Sequence, residues 1–123
     1  MTLLAHSGHS LAAHLSGTAE KAAEFARHFG GEEHARISGL LHDLGKAEDE
    51  FQKRVNSNDH VGKKEPHAHH GTALVLADTE RGAPIWPIAF AINGHHAGLH
   101  NRHDVDKHRK DLTKAKTAEN EVN

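Results

Sequence analysis

The chain has 123 residues, enough for one domain, and carries a formal net charge of −2, so it lacks the basic excess of a stand-alone nucleic-acid binder. Hydrophobic residues make up 36% with a mean hydropathy of −0.70, one Trp and no Tyr; this is a thin core, to which a bound metal can add stability. The absence of Cys excludes disulfides and thiolate metal sites. No apolar run is long enough to span a bilayer and no signal peptide is visible, so a cytoplasmic location and no membrane partner are expected.

The first helix is predicted over Ser10–Phe29, where Leu11, Leu15, Ala19, Ala22, Ala26 and Phe29 recur at three- and four-residue steps. His14 lies on that stripe, and Gly30-Gly31 ends the helix. A second helix is predicted from Glu32 to Leu44, with Ile37, Leu40, Leu41 and Leu44 inward and Gly45 as its stop. A short third follows over Ala47–Val55, anchored by Phe51, and Asn56–Pro66 reads as a polar loop. The fourth spans His67–Asp78, with Ala73, Leu74 and Ala77 inward, and Arg81–Pro84 is a turn. The fifth begins near Pro84 with Ile85, Ile88, Ala89 and Ile92 on one face. Extending that face by three and four residues gives His95 and His96. From Asp104 to Asn123 apolar positions are few, and the segment is expected to bury little. No strand-like alternation appears, so the fold class is all-α, with a core over residues 1–103 and a polar helix or tail over 104–123.

The most informative string is GLLHDLGKAEDEFQ, Gly39 to Gln52. Adjacent His42 and Asp43 can bind one metal from one helix, and the second carboxylate oxygen can bridge to another ion. Metal pairs of that kind hydrolyse phosphate esters. Further histidines recur where they could complete such a site: His6, His14, His67, His69, His70, His95 and His96. A nitrogen and oxygen ligand set suits manganese, iron, nickel, cobalt or zinc. In PHAHHG, His67, His69 and His70 compete within one turn, one as ligand and the others as its neighbours or solvated. Lys46 is either a solvated lysine at a helix end or a cation able to neutralise a phosphate oxygen. His9, His28, His34, His60, His100, His103 and His108 sit in polar surroundings and read as solvated surface. No Gly-rich phosphate loop ending in Gly-Lys-Ser/Thr is present, so no ATPase of the chain's own is visible.

The whole string resembles the HD nuclease domain of the type I CRISPR-associated nuclease–helicase. The opening LLAHSGHSLAAHLSGTAEKAAEFA looks like that family's start. ARISGLLHDLGKAEDEFQKRV is similar to its central motif, PHAHHGTALVL to its His-x-x-x-Gly segment, and AFAINGHHAGLHN to its Ile-x-x-His-His-x-Gly-Leu motif. The four segments fall in the family's order between residues 3 and 101. The resemblance implies an HD helical bundle of about five to six helices around a metal site. It also implies a metal-dependent nuclease for single-stranded DNA, recruited to a CRISPR surveillance complex and working beside a helicase. His14, His42 and Asp43 would hold one ion; Asp43 would bridge to a second, held by His67, His95 and His96. The ions would be two divalent transition metals (manganese, nickel, cobalt or iron) or magnesium. Asp43 and Lys46 would be the catalytic side chains. The family's late Ala-Asp-x-x-Ser segment has no counterpart, since Asp104, Asp106 and Asp111 lie in a context that does not match; the expectation is a domain truncated at its C-terminus. The competing readings are an HD phosphohydrolase acting on nucleotides or small phosphate esters, and a truncated module without activity.

Overall fold

Ser10 starts the first helix, its hydroxyl accepting from the backbone N–H of Ala13 at 3.1 Å. The computed structural model describes residues 2–57, 68–77, 85–98 and 101–122. Within them α1 runs Leu11–Ala26 and buries Leu11, Leu15, Ala19, Ala23 and Ala26. The stripe is the expected one, with Ala23 in place of Ala22. A 3₁₀ turn over Arg27–Phe29 follows, and Gly30 at φ +75° takes the left-handed position that ends it. Winding at three residues per turn carries Phe29 off the buried stripe. It is 79% exposed, against the expectation that it continues the core face.

Ahead of α1, β1 (Leu4–His6) pairs antiparallel with β2 (His9–Ser10), Leu4 opposite Ser10 and His6 opposite His9. Gly8 sits in the turn at φ +77°. This ribbon is too short to show alternation in sequence, and it is a small addition to an otherwise helical bundle. Gln52 holds it in place. Its amide oxygen accepts from Leu4 N–H at 2.9 Å, and its amide nitrogen donates to Leu4 O at 2.8 Å and to Lys46 O at 2.7 Å.

Helix α2 runs Glu32–Leu41, with Glu32 and Glu33 in its first turn, where the helix dipole favours negative charge. It stops three residues before the expected end. His42 still has helical backbone, but Asp43 at φ −112°, ψ 20° leaves the helix, and a 3₁₀ turn over Leu44–Ala47 follows. Gly45 is therefore not the stop. The break turns the Asp43 side chain inward, and Leu44, Gly45 and Ala47 are buried behind it. Leu40 stands 45% exposed rather than on the core face, and Gly39 takes the buried position. Helix α3 spans Asp49–Asn56, α4 His69–Ala77 and α5 Ile85–Ala97. On α4, Ala73 is buried as expected, but Val75 and Leu76 are buried and Ala77 is exposed. The expected Asn56–Pro66 loop lies mostly, and the Arg81–Pro84 turn wholly, outside the described residues.

The C-terminal segment buries more than its composition suggests. It forms α6 (Arg102–Asp106), a 3₁₀ turn over Lys107–Asp111, and α7 (Leu112–Val122). Val105, Ala115 and Ala118 are buried, and Arg109 donates to the carbonyl of Leu76 at 2.7 Å. Among the described residues, one core cluster joins Ala5, Leu11, Leu15, Leu44, Ala47 and Ala118, and a second joins Val75, Leu76, Ile88, Ala89, Ile92 and Val105. Leu41 packs against both, one residue before His42.

Two glycines set how closely the helices approach. A Cβ on Gly39 would stand 2.8 Å from the Ala19 backbone, where α1 and α2 meet. A Cβ on Gly71 would stand 2.1 Å from the carbonyl oxygen of Leu41. Exposed Gly17, inside α1, has no such neighbour. In urea unfolding, Gly17→Ala is expected to add about 1 kcal/mol from helix propensity, whereas Gly71→Ala should cost about 2 kcal/mol or more through overpacking. Equal effects at the two positions would show that Gly71 is not a close-approach residue.

Candidate metal centre

Three helices deliver their side chains to one carboxylate. Asp43, 4% exposed, sits at the break after α2. His14 Nε2 from α1 reaches its Oδ2 at 2.7 Å, and His42 Nε2 stands 3.0 Å from the same oxygen. His95 Nε2, from the C-terminal end of α5, reaches Oδ1 at 3.0 Å. Lys46 Nζ lies 3.2 Å from Oδ2, its side chain largely buried and its ammonium 5.4 Å from the centre of the Phe51 ring. The solvated reading of Lys46 is thus replaced by a lysine folded into the site. The His95 and His96 rings are 4.3 Å apart. The ligand atoms of His14, His42 and Asp43 form one compact group, and those of Asp43, His95 and His96 form another, each within 4.8 Å. Asp43 is common to both. His67 lies outside the described residues.

The donor chemistry fits a divalent cation. His42 Nδ1–H donates to the Gly39 carbonyl and His95 Nδ1–H to the Ile92 carbonyl, each at 2.6 Å. A neutral ring anchored in that way turns its Nε2 lone pair toward the Asp43 oxygens, and two acceptors face each other unless a cation lies between them. In the metal-free protein a proton can serve. Burial pushes the His95 pKa down, but the hydrogen bond to Asp43, the Ile92 carbonyl and the Asp43 charge outweigh it, and the pKa is raised. At His14 burial prevails over Asp43, and the pKa is lowered.

The remaining histidines divide by environment. His6 and His9 stack on the ribbon with ring centres 4.9 Å apart, and both approach the edge of His14. His70, on α4, is buried and bonds Glu48 at 2.8 Å, a carboxylate to which the sequence drew no attention. His69 meets His108 and Asp111 and does not join the groups around Asp43. His108, expected on the solvated surface, is only 7% exposed. The signal that could have found it is the three-residue spacing from His108 to Asp111. Among the described residues, neither Asp104, Asp106 nor Asp111 joins the groups around Asp43.

A family model for the HD domain matches residues 11–121. The chain belongs to the HD domain family. No curated protein and no solved structure matches it. The HD domain, taken with the His/Asp groups, makes this chain a metal-dependent phosphohydrolase. The HD match takes in the C-terminal helices as well as the His42-Asp43 turn. Among the described residues, no helix is long and apolar enough to cross a membrane.

His69 is expected to give the HD domain an acid response. Burial above all, and then the His108 imidazole, push its pKa down to about 4, against the pull of Asp111. The unfolded chain binds that proton near the ordinary histidine value of 6.5, so between the two values it holds more protons than the folded one. Stability from this residue is therefore full above the higher value and is lost as pH falls toward the lower. Urea midpoints of chelator-treated protein at pH 7 and pH 5 should show a smaller acid loss in His69→Gln than in wild type. An unchanged difference would remove His69 as a source of the acid sensitivity.

Proposed function

We propose that the protein is a nuclease that hydrolyses phosphodiester bonds in single-stranded DNA, acting with a helicase at a CRISPR surveillance complex. The observation that carries the reading is the sharing of Asp43 by two His groups, supported by the order of the four motif segments. His14, His42, Asp43, His95 and His96 are the proposed ligands, with His67 added on the resemblance alone.

Bound divalent ions supply Lewis acidity and lower the pKa of water. The chain supplies the rest. The carbonyls of Gly39 and Ile92 fix the rings of His42 and His95, so their Nε2 atoms converge without a conformational search. Leu41, wedged between both core clusters, holds the His42-Asp43 turn. Lys46, stemmed over Phe51, places a positive charge beside Asp43. That charge favours the more negative transition state over the ground state, which lowers the barrier rather than only tightening binding.

Two variants test the assignment. Asp43→Ala should lose metal and cleavage of a single-stranded oligonucleotide together; near-normal cleavage with manganese present would overturn the shared-ligand reading. Lys46→Ala should keep its metal and fold while turnover falls by about 10²-fold or more, the scale of a lost electrostatic stabiliser. Wild-type turnover in that variant would remove Lys46 from the chemistry. Phosphate release from nucleotides, with oligonucleotides left intact, would favour a small-ester phosphohydrolase. Loss of both activities in metal-loaded wild type would make the domain a non-catalytic module.

A further inference from the structure

We propose a divalent-cation site formed by His69, His108 and Asp111, separate from the Asp43 centre, that fastens α4 to the C-terminal helices. The three donors come from two elements: His69 opens α4, while His108 and Asp111 stand on the 3₁₀ turn between α6 and α7. Asp111 Oδ2 is 3.9 Å from His69 Nδ1 and 3.6 Å from His108 Nδ1, and one ligand atom from each residue lies within 4.8 Å of the others. These separations are long for hydrogen bonds. They are close to the edge of a tetrahedron around an ion with metal–nitrogen and metal–oxygen bonds of zinc length, about 3.4 Å.

A second observation concerns the burial of one of these donors. His108 is 7% exposed and its Nδ1 is buried with no hydrogen-bond partner. A buried nitrogen without a partner is costly, and an ion at this place would satisfy it. Two imidazole nitrogens and one carboxylate oxygen form a borderline donor set suited to zinc, nickel or cobalt rather than to magnesium or calcium. Three protein ligands leave a coordination position open. The His69 and His108 rings lie face to face with centres 3.7 Å apart. An imidazole lone pair lies in the plane of its ring, so capture of an ion turns the rings out of this stack. The clasp would close on the segment that supplies Val105 and Ala118 to the two cores.

The test uses the full chain carrying Asp43→Ala, which disables the first centre. After chelator treatment and equilibrium dialysis against micromolar zinc, this chain should retain about one ion and melt at a higher temperature than its metal-free form. Adding His69→Gln or Asp111→Asn should abolish both the retained ion and the zinc-dependent rise. Both changes are conservative and lie at incompletely buried positions, so folding is checked by circular dichroism without disturbing His108. Cobalt in place of zinc should give the intense visible bands of a four-coordinate ion, lost in the same variants. Zinc retained undiminished in both added variants, or no zinc bound by the Asp43→Ala chain, would overturn the proposal. The nuclease reading is untouched by either result, because it is measured on wild type through Asp43.

Discussion

The structure depends on one buried anion. Asp43 has almost no access to water, and an unpaired carboxylate in such a place would be too costly to keep. Its compensation comes from far apart in the sequence: His14 from α1, His95 from α5, and His42 and Lys46 from either side of the break after α2. The bundle must therefore bring three helices within hydrogen-bond reach of a point. Backbone-to-backbone packing at Gly39 and Gly71 makes that approach possible, because a methyl group at either position would push a helix away. The thin apolar composition is consistent with this plan. Much of the space near the centre is filled by imidazoles, small residues and close backbone contact rather than by large aliphatic side chains.

Much of this was legible in the sequence. The stripe Leu11, Leu15, Ala19 and Ala26 is the buried face of α1, and extending Ile88, Ala89 and Ile92 by helical steps led to His95, which does reach Asp43. Periodicity works there because both helices keep regular winding up to the site. It failed where the winding changes. Phe29 falls in a 3₁₀ turn, and α2 breaks at Asp43 instead of running to Leu44. The inward turn of a polar side chain decides that break, and no apolar pattern encodes it. The C-terminal segment failed for another reason. Burial there uses Val105, packed with Val75, Leu76, Ile88, Ala89 and Ile92, and Ala118, packed with Ala5, Leu11, Leu15, Leu44 and Ala47, and a window along the chain cannot see such partners.

The histidines show how little residue type says without surroundings. His69, His70 and the neighbouring Gly71 occupy a single turn, yet His70 faces Glu48, His69 faces Asp111, and Gly71 meets α2. Burial lowers the pKa at His69, whereas at His95 the hydrogen bond to a carboxylate reverses the effect of burial. The same side chain thus favours the neutral form in one surrounding and the charged form in another. Distance to a carboxylate does not decide this alone: His14 stands 2.7 Å from Asp43, and burial still lowers its pKa.

Gln52 carries a different kind of consequence. Its three hydrogen bonds all end on main-chain atoms of Leu4 and Lys46, not on their side chains. Every amino acid except proline offers the same N–H and C=O, so the residues it grips can be exchanged without loosening the grip. Gln52 itself has little latitude: a glutamate would lose the two donated bonds, and an asparagine falls one methylene short. The polar part of the coupling between the histidine-bearing ribbon and the Lys46 turn therefore rests on this side chain. Drift at either end would leave these hydrogen bonds intact, while a change at Gln52 would leave the ribbon held to the turn by the packing of Ala5 on Leu44 and Ala47.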